Sequence, residues 1–197
     1  MRLLERLRSE TKPVHAELEA SMMPWISRVR NLEEYAGLLR MFYGFYQPLD
    51  YAIKQHVDIN RLPDFHERRG AHWILEDLQT IGFAGNELPL DTRSSWVTDQ
   101  ASAFGALYVM EGSTLGGRVI CKTISGNLGT DLEKGLRFFG GYGPETGSRW
   151  KSFLSALDGF DQSSEEDSLV NSAYNTFRHF QTWIKQNSVP QISTSKV

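Results

Sequence analysis

Two groups of residues in this chain have types and spacing suited to chemistry. The first is His15, which lies in an N-terminal helical pattern with Arg8, Lys12 and Glu19 at helical spacings. An imidazole can ligate a transition metal or a haem iron. Arg8, two turns or about 10 Å along the axis, can bind a carboxylate on the same ligand. The other reading is a surface histidine on a charged helix. The second group is Leu107-Tyr-Val-Met-Glu-Gly-Ser-Thr-Leu-Gly-Gly-Arg118, where Gly112, Gly116 and Gly117 interrupt a well-formed helical pattern. A glycine in a helix interior costs about 1 kcal/mol relative to alanine. These three fall on one side of the helix, which leaves bare backbone for a large flat ligand. The same glycines can serve close helix–helix packing, or loosen the helix into a bend.

Residues around the glycines fit a ligand or a plain core. Tyr108, one turn before Gly112, carries a hydroxyl that can bind a carboxylate, or it is a core tyrosine. Ser113 and Thr114 bring hydroxyls to the same place, or bond back to helix carbonyls. Glu111 reads as a solvated residue, and Cys121 as a packing residue. No distal histidine or arginine is evident at the glycine stretch. His66 and His72 flank Arg68 and Arg69 in no recognised metal spacing. Gly-Ser-Thr-Leu-Gly-Gly is not a dinucleotide-binding glycine loop, because a helical pattern precedes it. No Glu-x-x-His pair for a di-iron bundle occurs, and one cysteine provides neither a disulfide nor a zinc site.

The elements that must position these residues are helical almost throughout. Leu3, Leu7, Val14 and Leu18 place a first helix at roughly 2–21, with Pro13 either kinking it or starting a new helix capped by Thr11. Asn31 and Glu34 read as a capping box opening a long amphipathic helix that Pro48 should bend. Further helices are expected over 66–81, from about 94 to 125 with a stop at Gly126-Asn127, from Ser148 to Leu157, and from a Ser163/Glu166 capping box to about Gln186. Residues 82–90 and 138–144 read as loop and turns. The expected fold is all-α, six to eight helices in one domain over 1–187, with a frayed tail over 188–197. The chain has 197 residues, 40% hydrophobic content and a net charge of −3. That balance disfavours nucleic acid or an anionic membrane as partner. No signal peptide or transmembrane run is evident, and a cytoplasmic location is expected.

Taken in order along the chain, two motifs carry a family resemblance. Thr11-Lys-Pro-Val-His-Ala-Glu-Leu-Glu19 resembles the proximal helix of haem oxygenases. Leu107–Gly117 resembles their distal helix, above all in bacterial members with a Gly-Ser-x-Leu-Gly pattern. The further Gly117 and Arg118 are most similar to enzymes associated with bacterial phytochromes. The resemblance implies His15 as proximal iron ligand, Glu19 as the acidic residue that influences its imidazole, and Gly112, Ser113, Gly116 and Gly117 at the distal face. It implies Arg8, Tyr108 and Lys151 as partners of the haem propionates, and Phe177 as an aromatic packed near the macrocycle. It departs from mammalian-type members at Ser113, where they carry an aspartate, and at Ser155, where some members carry a second basic residue.

The activity so implied is cleavage of haem, both substrate and cofactor, to biliverdin, CO and Fe2+. O2 and an external electron donor are required: ferredoxin, flavodoxin or an NADPH-linked reductase. Attack at the α-meso carbon and a bacterial phytochrome as biliverdin acceptor are further expectations. Two alternatives stand beside it. One is a haem or biliverdin carrier without turnover. The other is a thiaminase-like hydrolase, which requires a catalytic cysteine or a carboxylate cluster in the pocket. The decisive geometric expectation is a slot with His15 on one side and Gly112 and Gly116 on the other.

Overall fold

A computed structural model describes residues 2–83, 89–129, 134–160 and 163–187. The tail expected from residue 188 lies outside them. The architecture is all-α: α1 (Arg2–Arg28), α2 (Leu32–His56), α3 (Ala71–Thr80), α4 (Gln100–Gly112), α5 (Gly117–Leu128), α6 (Arg137–Gly140), α7 (Thr146–Ala156) and α8 (Ser163–Gln186). No helix among the described residues is long and apolar enough to cross a membrane.

Helix α1 runs unbroken through both Pro13 and Pro24, past the expected end near residue 21. Each proline removes one N–H, but both lie on the exposed face, where solvent can take the freed carbonyl. Thr11 starts no new helix; it is buried and its Oγ1 donates back to the Leu7 carbonyl at 2.6 Å. Leu7, Val14, Leu18 and Ile26 bury the inner face of α1. Arg6 ties it to the start of α8 through Glu166 at 3.1 Å and Asp167 at 2.8 Å. Ser163 is the first residue of α8 rather than a cap before it.

Helix α2 begins as its capping residues require: the Asn31 side chain accepts from Glu34 N. Pro48 lies inside α2 and leaves the Gly44 carbonyl without its helical donor. Asp91 N fills that vacancy from a neighbouring segment at 2.8 Å. Phe42, Phe45, Tyr46, Phe138, Phe139 and Phe180 form the aromatic centre. Phe45 and Phe180 stack at 4.4 Å, and Phe42 meets Phe139 edge-on at 5.0 Å.

Helix α4 is buried nearly all round, as a helix of small and apolar residues must be. A Cβ on Gly105 would lie 2.1 Å from the Leu169 carbonyl, so α4 and α8 pack backbone to backbone. Ser172 adds a bond to the Ser102 carbonyl at 2.6 Å. The start of α4 is later than residue 94 because Asp99 and Ser102 form a reciprocal capping box. Its end is earlier than expected: the chain tightens into a 3-10 turn over Ser113–Gly116, then resumes as α5. The stop lies at Gly129, in the left-handed region at φ 65°, two residues beyond the expected pair.

Helix α3 starts at Ala71, not 66, because Arg68, in extended backbone after a short turn over Phe65–Glu67, and Arg69 are drawn into the core. Arg68 donates to Glu111 Oε2 at 2.7 Å and grips both oxygens of Asp64. Tyr142 Oη donates to the other Glu111 oxygen at 2.8 Å. Glu111, expected at a solvated face, is thus 1% exposed at the end of α4. Burial opposes the charge on Arg68, but Glu111 and Asp64 outweigh it and raise its pKa. Glu111→Ala removes the buried one of the two carboxylates that neutralise Arg68 and should cost about 3 kcal/mol. Urea denaturation reads this as a lowered midpoint with the slope retained.

Candidate functional site

Between α1 and the α4–α5 break lies a cavity of about 390 Å³, lined by His15, Glu19, Met22 and Met23 from α1 and by Gly112, Ser113 and Gly116 from the break. Phe177 and Phe180 of α8 contribute one wall, and Phe138 and Phe139 the floor. His15 and the distal glycines therefore border one slot, as the two motifs required.

The His15 side chain is 52% exposed and its Nε2 lies 3.4 Å from Glu19 Oε1, one helical turn on. Its ring packs against Phe177 at 5.1 Å with a 44° tilt. One ring nitrogen can therefore donate to Glu19 while the other keeps a lone pair for a metal. Among the described residues no group of three His, Cys, Asp or Glu could hold a free metal ion. A single imidazole beside an apolar slot is instead the donor set of a ligand that brings its metal with it. An axially ligated porphyrin fits that description.

The three glycines serve different ends. A Cβ at Gly116 would meet nothing within 4 Å, so this position is open backbone at the slot. At Gly112 it would meet the Trp150 ring at 3.6 Å, an ordinary contact. At Gly117 it would lie 1.8 Å from the Phe139 carbonyl. Gly117 borders the slot, but its missing side chain is required by close packing against Phe139. Within one glycine run, Gly116 leaves open backbone and Gly117 serves close packing.

Ser113 and Thr114 bond back to the carbonyls of Met110 and Glu111, at 2.8 and 2.6 Å. Ser113 also takes part in a polar cluster that reading the distal stretch alone missed. Arg69, 6% exposed, reaches the slot from the segment before α3. Its Nη2 donates to Ser113 Oγ and to the Met110 carbonyl, and Tyr46 Oη lies 3.3 Å from Ser113 Oγ. The slot thus receives an arginine from outside the glycine stretch, to which the sequence reading was confined. The Arg68-Arg69 doublet between two histidines was the visible signal, but its target lay some forty positions away in the chain.

Other candidates sit around the slot rather than in it. Tyr108 is half-buried, and burial raises its pKa while the charge of Arg8 lowers it. Neither belongs to the slot wall. Tyr108 packs on Trp150 with ring centres 5.6 Å apart. Lys151 is exposed on α7 beside Trp150 and lies outside the slot wall. Cys121 is half-buried outside the slot, and burial pushes its thiol up to about 11. Glu19 is the one carboxylate of the described slot wall. A hydrolase built on a pocket cysteine or carboxylate cluster has no matching groups there.

The glycine geometry separates two neighbouring substitutions. Gly117→Ala should destabilise the protein by about 3 kcal/mol or more, because the Phe139 backbone must move. Gly116→Ala should leave stability unchanged or raise it by up to about 1 kcal/mol. Thermal unfolding of the two variants checks the contrast.

The heme oxygenase family model matches residues 1–186. Heme oxygenase PigA of Pseudomonas aeruginosa is 29% identical over 182 residues, covering 88% of each chain. The NO- and CO-bound heme oxygenase of Neisseria meningitidis superposes with a TM-score of 0.75 at 21% identity, covering 97% of this chain and 94% of the other. Heme oxygenase from Leptospira interrogans does so at 0.76 and 20%, covering 94% and 100%. At those identities the two structures speak for the fold, and they share the helical architecture described above. With an imidazole and an open glycine facing each other across the slot, and the family model spanning nearly the whole sequence, the chain belongs to the heme oxygenase family.

Proposed function

We propose that this enzyme binds haem in the slot with His15 on the iron, and cleaves it to biliverdin, CO and Fe2+ with O2 and electrons from an external donor. The observation that carries this reading is the half-exposed imidazole of His15 across an apolar slot from the bare backbone of Gly116. Haem supplies both the O2-binding iron and the carbon skeleton that is oxidised.

The chain's own residues supply position and environment. His15 would hold the iron through a neutral imidazole, which, unlike a thiolate, does not favour O–O cleavage. Glu19 accepts the proton of the other ring nitrogen, fixing the ring's orientation and raising its basicity. Phe177 limits rotation of the imidazole from the side. Gly116, bare at the slot beside Gly112, lets a flat macrocycle approach the backbone of the helix break, leaving room for a small ligand. Phe138, Phe139 and Phe180 keep bulk water from the floor. Ser113, held by Arg69 and the Met110 carbonyl, anchors ordered water from which protons are drawn.

Arg8 and Tyr108 take the haem carboxylates at the α1/α4 end of the slot, with Lys151 as a further cation nearby. Met22, Met23, Val119 and Ile120 present an apolar wall for the other edge. This polarity sets the in-plane rotation of the haem, and α-meso cleavage is the outcome assigned to it. Ferredoxin, flavodoxin or an NADPH-linked reductase serves as donor in the cytoplasm, and a bacterial phytochrome is the acceptor for the product.

Purified protein with hemin, a reductant and air should lose its Soret band and yield biliverdin. A spectrum unchanged by reductant and air would identify a carrier. His15→Ala should abolish the low-spin or high-spin histidine signature of the ferric complex, and retention of that signature rules His15 out. Glu19→Ala should weaken haem binding by about tenfold. The pigment should be mainly the α isomer by chromatography; mainly β or δ product refutes the assigned rotation.

A further inference from the structure

Behind the slot lies a second, smaller cavity of about 80 Å³, lined by Asp50, Lys54, His66, Arg68, Arg69 and His72 among others. It is polar and roomy enough for water. Among the described residues, Arg69 is the one residue that lines both cavities. Its side chain is the partition between them. On the slot side it holds Ser113 and the Met110 carbonyl at the helix break. Its backbone runs directly into Gly70 and Ala71, where α3 begins.

Gly70 has no side chain to cap α3, and the cap comes from another helix. Asp50 of α2 accepts from Ala71 N through Oδ2 at 2.6 Å. A Cβ on Gly70 would lie 2.6 Å from that oxygen and 3.1 Å from His72 Nδ1, so the glycine makes room for both groups. Asp50 therefore fixes the backbone two residues from Arg69.

It also bears on the charge of Arg69. Arg68 is neutralised by Glu111 and Asp64 at ion-pair distance. Arg69 has no such carboxylate partner among the described residues, and its Nε is buried without an acceptor. The negative groups acting on it are Asp50 and Glu111, each of which feels its charge. Around Asp50 stand Lys54 on its own helix, Arg68, Arg69 and His66 from the preceding segment, His72 of α3 and Glu111 of α4. Burial pushes the Asp50 carboxyl up to about 6, against the pull of Ala71 N, Lys54 and Arg69, and Glu111 adds to the rise. His66 and His72 are exposed at this cavity, and burial lowers the pKa of His72.

We propose that Asp50 is a positioning residue that acts from the rear cavity through Arg69, its protonation setting the placement and uncompensated charge of the guanidinium at the distal side of the slot. It rests on the slot being the haem site. With Asp50 ionised, Arg69 is offset and the turn into α3 is held by a charge-assisted bond. With Asp50 protonated, that bond weakens and Arg69 presents more of its charge to the slot. Because the folded-state pKa lies above the unfolded value, the ionised carboxylate costs stability above about pH 6, and stability rises as pH falls from there toward the unfolded value near 4. Asp50→Asn removes that cost and keeps an acceptor for Ala71, so the variant should fold.

Two measurements test the coupling, one of them without haem. In the free protein, the Arg69 Nε–H and Ser113 amide resonances should titrate with a midpoint near 6. Asp50→Asn should abolish that transition and Asp50→Glu should restore one. In the hemin-loaded protein, fluoride affinity should rise about three- to tenfold as pH falls from 7.5 to 5, and this rise should vanish in Asp50→Asn. Persistence of either transition in Asp50→Asn overturns the proposal. So does titration confined to Ala71, which would make Asp50 a helix cap and nothing more. Failure of hemin to bind, with the free-protein titration intact, would instead overturn the haem reading of the slot.

Discussion

Arg68 and Arg69 leave the same short segment and enter the same helix break with opposite electrostatic arrangements. Arg68 is matched by Glu111 and Asp64 in the core. Arg69 is matched by carbonyls and a hydroxyl and remains uncompensated at close range. Between them they hold the last turn of α4 from two sides. The α-helical ladder lapses where Gly112 gives way to the 3-10 turn, and the Met110 carbonyl takes donors from Arg69 and Ser113. A helix break in a core leaves polar backbone groups that need partners. Here the partners come from a segment far away in the chain.

The slot depends on that arrangement. Helix α1 carries His15 on its solvent-ward edge, with α8 behind it supplying Phe177 and Phe180. The glycine stretch opposite must come close without filling the space between. Gly117 seats α5 against Phe139, and Gly105 seats α4 against Leu169. These two close approaches set the position of the backbone between them, and Gly116 then faces open space. The same sequence device, a glycine in a helix, thus serves as anchor at two positions and as opening at a third.

The slot wall is predominantly apolar. Met22, Met23, Val119 and Ile120 line it beside the phenylalanines, with His15, Glu19, Arg69 and Ser113 among its polar members. Such a wall favours burial of an apolar ligand surface.

The all-helical fold, the N-terminal histidine with Glu19 one turn on, and the glycine stretch were legible from residues alone, because helical periodicity and glycine spacing are local properties. The cap at Asn31 was legible for the same reason. Several features were not. Prolines 13 and 24 break no helix, since their faces are exposed, and exposure is a tertiary fact. Glu111 looked solvated because its partners Arg68 and Tyr142 are remote in sequence. The separate duties of Gly116 and Gly117 depend on where Phe139 passes, which adjacent residues do not encode. Arg69 at the slot and Asp50 in the neighbouring cavity arise from the packing of α2, α3 and α4. Sequence determined which groups the chain carries and the helical faces they occupy. Tertiary structure decided which of them meet, because a buried charge or bare carbonyl takes its partner from whatever element the core brings near.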